Sequence, residues 1–98
     1  MDEGFELNGI RFVWDEDKAR KNPGRHAGVT FEQAAEAFFD PFLRVVEASR
    51  SDERRDAVIG MDRRRNLLFI VHMEFEGTFI RIISARKATR RERQIYED

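Results

Sequence analysis

Arginine binds phosphate through a planar fork of N–H donors that stays charged, and histidine exchanges protons near neutrality. Both residue types occur in this chain where such chemistry is possible. Arg81, Arg86, Lys87, Arg90, Arg91 and Arg93 crowd the stretch Ile80–Glu97, IRIISARKATRRERQIYE, and up to Arg93 only Glu92 opposes them. A basic run is commonly no more than a solvated helix face. Arg86 is distinguished by its place, at the end of an apolar strand and just before a capped helix whose N-terminus itself attracts anions. It is the best single phosphate site. Arg63-Arg64-Arg65 in a turn, with Arg90 and Arg93, can neutralise further phosphates. His26 falls in a loop beside Gly28 and is a candidate acid or base, although a lone loop histidine commonly serves packing or hydrogen bonding.

The elements that must position these groups follow from patterning. Asn8-Gly9 predicts a turn, then a strand through Ile10, Phe12 and Trp14. Asp15 offers an N-cap for a short helix from Glu16 to about Asn22, which Pro23-Gly24 should end. Thr30-Phe31-Glu32-Gln33 is a capping box opening a helix whose inward face is Phe31, Ala34, Ala35 and Phe38, stopped by Asp40-Pro41. Strands are expected over Phe42–Val46 and Arg55–Gly60, joined by the polar turn Ala48–Glu53, and over Leu67–Phe75 and Thr78–Ala85. Glu76-Gly77 should close the last pair as a two-residue turn. Thr89-Arg90-Arg91-Glu92 is a second capping box, opening a C-terminal helix. The order β-α-α-β-β-β-β-α predicts an α+β domain around a compact antiparallel sheet. With that turn, His72 faces Arg81, with Glu74 next on the same side, opposite a core face of Leu67, Phe69, Val71 and Met73. An ordinary cross-strand polar set on a half-solvated sheet explains the trio equally well.

Composition bounds the rest. The 98 residues predict a single domain, and 41% apolar residues with nine Phe suffice for one core. Cysteine is absent, which removes thiolate nucleophiles and the commonest zinc sites, and no metal or cofactor is expected. The acidic N-terminus lacks a signal-peptide core and no apolar run has membrane-spanning length, so a cytoplasmic protein without a membrane partner is expected. The net charge of −1 conceals an asymmetry. Residues 1–62 hold nine Lys/Arg against 14 Asp/Glu, and residues 63–98 hold nine against five. Such a dipolar surface predicts a basic face for an anionic partner.

The order of residues resembles the BrnT family of bacterial type II toxins. The pieces that carry the resemblance are Phe12-Val13-Trp14-Asp15-Glu16-Asp17-Lys18, Asn22 to His26, Val29-Thr30-Phe31-Glu32-Gln33-Ala34, Phe39-Asp40-Pro41, and Ile80 to Tyr96. Two departures stand out: Ala27 intervenes between the histidine and the Gly-Val that usually follows it, and residues 1–9 form an N-terminal extension. The resemblance implies a RelE-like fold and a metal-independent endoribonuclease that cuts RNA and arrests growth. It also implies neutralisation by a BrnA-like antitoxin, with operator DNA bound only through the antitoxin complex. In that reading Arg81 and Arg86 hold the scissile phosphate, and His26 transfers a proton, as acid or base. Lys18 is a second cation, while Arg63, Arg64, Arg65, His72, Arg90 and Arg93 contact RNA. A reading from another class is a non-catalytic RNA- or protein-binding module, and a third is a toxin homologue inactivated by the Ala27 insertion.

Overall fold

The computed structural model describes residues 1–47 and 55–98. Its elements are β1 (Asp2–Leu7), β2 (Ile10–Asp15), α1 (Glu16–Arg25), α2 (Phe31–Ala37), β3 (Arg44–Glu47), β4 (Asp56–Met61), β5 (Leu67–Phe75), β6 (Phe79–Lys87) and α3 (Arg90–Glu97). The six strands form one sheet in the order β1-β2-β6-β5-β4-β3. The expected turn Ala48–Glu53 lies outside the described residues.

Local signals explain much of this. Asn8 and Gly9 both take positive φ, 50° and 81°, and close a hairpin in which Leu7 pairs with Ile10. An Asn-Gly turn of that kind has the twist two antiparallel strands require. Asp2–Leu7 therefore forms a first strand, β1, ahead of the strand expected through Ile10, Phe12 and Trp14. Both capping boxes form: Thr30 Oγ1 accepts from the Gln33 amide, Thr89 Oγ1 from the Glu92 amide, and each N3 side chain answers the cap's own amide.

Three expectations are corrected. The sheet is mixed rather than antiparallel, because β2 and β6 run parallel, with Phe12 beside Ile80 and Val13 beside Arg81. Helix α1 continues through Pro23 to Arg25. The ring's fixed φ suits a helix, and its missing N–H removes one bond near the C-terminal end, a small loss there. The β5–β6 turn has three residues, not two, since Phe75 pairs with Phe79 around Gly77 at φ 71°. That single residue places His72 opposite Ile82 and Met73 opposite Arg81.

The core lies between the sheet and α2. It contains Phe12, Trp14, Phe31, Ala34, Ala35, Ala37, Val58, Leu68, Ile70, Ile82 and Ala85. The inward face of β5 is thus Leu68, Ile70 and His72, the reverse of the expected parity. Leu67–Met73 is apolar on both sides of the strand, so alternation could not decide the face. On β6 the register slips between Val71 and His72 of its partner, leaving Ile83 as an extra residue. The bulge lets Ile82 and Ala85, three apart, both point inward. At Gly60 a Cβ would stand 2.6 Å from the Ala37 carbonyl oxygen, so only glycine lets α2 pack this closely on β4. Ile59 is fully buried on the opposite side of β4, where α3 packs.

Candidate active site

The face of the sheet turned away from α2 carries Arg81, Ser84 and Arg86 of β6, by alternation and the bulge. At its margin α1 presents Lys18, Asn22, Arg25 and His26, which helical spacing puts on one side. Continuation of the helix past Pro23 is what brings Arg25 and His26 into that row. The pairing of β2 with β6 ends at Val13 and Arg81, and Asn22 takes over beyond it. Its buried amide donates to the carbonyls of Ala85 and Val29, both at 2.8 Å, fastening α1 and the following loop to β6.

Between these elements lies a cleft of about 280 Å³ lined by Lys18, Asn22, Arg25, His26, Arg55, Ile83 and Ser84. The described residues around it bring three basic side chains, an imidazole and a hydroxyl together, and no carboxylate. An anion is attracted to the Lys18 and Arg25 cations of such a site. The histidine is held by the end of α1. His26 is the C-cap, with its N–H donating to the Asn22 carbonyl at 2.9 Å. Ala27 follows at φ 52°, and the Gly28 N–H closes back on the Pro23 carbonyl at 2.8 Å. This is a Schellman closure in which alanine occupies the left-handed position that glycine usually takes.

The two arginines expected at the scissile phosphate do not line the cleft and do not meet. Each is gripped by a carboxylate. Arg81 donates from both terminal nitrogens to Asp2 of β1, at 2.9 and 3.0 Å. Arg86 donates likewise to Glu92 of α3, at 2.7 and 2.8 Å. The hydrogen bonds raise both guanidinium pKa values and lower those of Asp2 and Glu92. The arginines stand five positions apart, about 16 Å of strand, and their partners stand on different elements. They flank the cleft from the two directions along β6.

The other expected residues disperse. Lys18 joins the cleft. Arg63, Arg64 and Arg65 are exposed in the turn between β4 and β5, about 20 Å along β4 from Arg55. Asp62 organises that turn, its Oδ1 accepting from the amides of Arg64 and Asn66. Arg90 and Arg93 are exposed on α3. His72 is corrected outright: it is 4% exposed, packed edge-on against the Phe38 ring at 4.9 Å, and faces the core rather than any ligand. Arg25, Arg55 and Ser84 are cleft residues that sequence reasoning missed. Only Arg25 had a signal, its seven-residue spacing from Lys18.

Comparison with known proteins agrees with this architecture. A family model described as the ribonuclease toxin, BrnT, of a type II toxin-antitoxin system matches residues 14–92. The crystal structure of the Brucella abortus ribonuclease toxin, BrnT, superposes with a TM-score of 0.53 at 22% identity, covering 79% of this chain and 94% of that one. No curated protein matches.

Proposed function

Because this chain belongs to the BrnT family of ribonuclease toxins of type II toxin-antitoxin systems, we propose that it is a metal-independent endoribonuclease acting in the cleft between α1 and β6. One observation carries this reading. The cleft gathers His26 with Lys18, Arg25 and Arg55 in a site lined by no described carboxylate.

RNA supplies its own nucleophile, the 2′-hydroxyl. A base removes its proton, the oxygen attacks the adjacent phosphorus, and the 5′-oxygen leaves with a proton from an acid. The products are a 2′,3′-cyclic phosphate and a 5′-hydroxyl. His26 serves one of the two proton transfers. Lys18, Arg25 and Arg55 stabilise the negative charge that grows on the phosphoryl oxygens. Arg81 and Arg86 hold phosphates on either side of the cut rather than the scissile group, and Arg63–Arg65, Arg90 and Arg93 extend the basic surface.

The natural counterpart is a BrnA-like antitoxin that covers this basic face in the cytoplasm, with operator binding residing in the antitoxin. No described helix is long and apolar enough to cross a membrane.

The test is incubation of a defined RNA with the purified, antitoxin-free chain in excess EDTA, with the ends of the products identified. Fragments ending in 2′,3′-cyclic phosphate support the reading. Cleavage that EDTA abolishes contradicts it. RNA binding without cleavage, on or off the ribosome, favours a binding module.

A further inference from the structure

Arg81 and Asp2 form the one bidentate ion pair on the described outer face that reaches into β1, and Asp2 lies before the segment that the BrnT family model matches, which begins at residue 14. The pair is open to solvent: the side chains are 28% and 55% exposed. Arg81 shares its sheet face with Ser84 of the cleft, three residues farther along β6, or about 10 Å. A phosphate next to the one in the cleft falls within reach of it.

A carboxylate on the two terminal nitrogens of a guanidinium occupies the same fork that a phosphate takes. Two of the five N–H donors are engaged by Asp2, and the charge of Arg81 is largely cancelled. An exposed ion pair is only weakly held, because both groups are well hydrated when apart. A backbone phosphate arriving in the cleft therefore competes on favourable terms for Arg81.

We propose that Arg81 is a flanking phosphate site for single-stranded RNA, which Asp2 occupies in the free protein and yields when RNA binds. Asp2 thereby keeps the guanidinium extended on the sheet face and sets the affinity of that site below its full value. This inference rests on RNA being the ligand of the cleft.

The experiment measures binding of a fluorescein-labelled, fully 2′-O-methylated RNA oligonucleotide, which cannot be cut, by anisotropy across a salt series. Asp2→Asn is expected to tighten binding several-fold at low salt, with the gain shrinking as salt rises and screens the competing carboxylate. Asp2→Glu, which keeps the charge, stays at the wild-type affinity. Glu6→Gln removes a charge from the same strand and leaves the affinity nearly unchanged. In an Arg81→Gln background, Asp2→Asn gives no gain.

A folded Asp2→Asn protein that binds no tighter than wild type overturns the proposal, as does a gain that persists without Arg81. If the wild type cleaves RNA in a His26-dependent way while Asp2→Asn shows no gain, only this inference falls. If no variant binds RNA, the ribonuclease reading falls with it.

Discussion

The Arg86 guanidinium lies over the ring of Phe69, 4.3 Å from its centroid, while Glu92 grips its two terminal nitrogens. Strand pairing produces the contact, since Phe69 and Arg86 are direct partners across β5 and β6. A cation held against an aromatic face is attracted by the ring's quadrupole. One arginine thus joins β5, β6 and the first turn of α3, and keeps a positive group at the end of the cleft. Arg86→Lys retains the charge but loses both the fork and the stacking. We expect it to lower stability by about 1–2 kcal/mol, from one charge-assisted hydrogen bond and the ring contact. Thermal unfolding measures this. RNA cleavage should fall more in Arg86→Ala than in Arg86→Lys, because only the alanine removes the charge.

His72 gives the fold a pH dependence. Burial pushes its pKa below the ordinary 6.5, opposed in part by the Asp56 carboxylate, and its Nδ1 has no hydrogen-bond partner among the described residues. The folded state thus disfavours the imidazolium that the unfolded chain accepts. The stabilisation is complete above pH 6.5, where His72 is neutral in both states. It is lost as pH falls from 6.5 towards the folded-state value, with a slope of at most about 1.4 kcal/mol per pH unit. Denaturant titrations above pH 5 isolate this effect from the lowered carboxylates such as Asp40 and Asp62, whose ordinary value is 3.8. In His72→Leu the slope between pH 5 and 6.5 should shrink markedly; an unchanged slope would place the proton uptake elsewhere.

Ala27 holds a left-handed backbone immediately after His26. For an L-residue with a Cβ that conformation costs about 1–2 kcal/mol. Ala27→Gly should therefore stabilise the protein by about 1 kcal/mol, after the greater freedom that glycine gains in the unfolded chain. The melting temperature reports it. Cleavage should be retained, because the Schellman closure that holds His26 is kept. A large loss of activity would mean that the alanine methyl has a role in the cleft.

Which features could be read from the sequence follows from how local their causes are. The capping boxes at Thr30 and Thr89, the Asn8-Gly9 turn and the inward face Phe31, Ala34 and Ala35 each depend on residues within one turn of chain. The face of β5 did not, because both sides of Leu67–Met73 are apolar, and α3 packs against the neighbouring strand β4. The parallel pairing of β2 with β6 joins residues nearly seventy apart in the chain, which no local pattern records. His26 and Lys18 were legible as candidates, yet the cleft was not. Its assembly needs α1 to continue through Pro23, the bulge at Ile83, and Arg55 arriving from the residue just before β4. Arg81 and Arg86 were correctly placed on one strand, but their pairing with the carboxylates of Asp2 and Glu92 is set by tertiary structure.

We propose the cleft between α1 and β6 as the place of cleavage. This is tested most directly by single-turnover cleavage of a defined RNA in excess EDTA by wild type, His26→Ala and Arg55→Ala, with binding of the 2′-O-methylated RNA measured in parallel. Loss of a general acid or base is expected to slow His26→Ala by about 10²–10⁴-fold while binding is retained. Arg55→Ala should lose both rate and some affinity. Wild-type rates in a folded His26→Ala protein would place the chemistry outside this cleft.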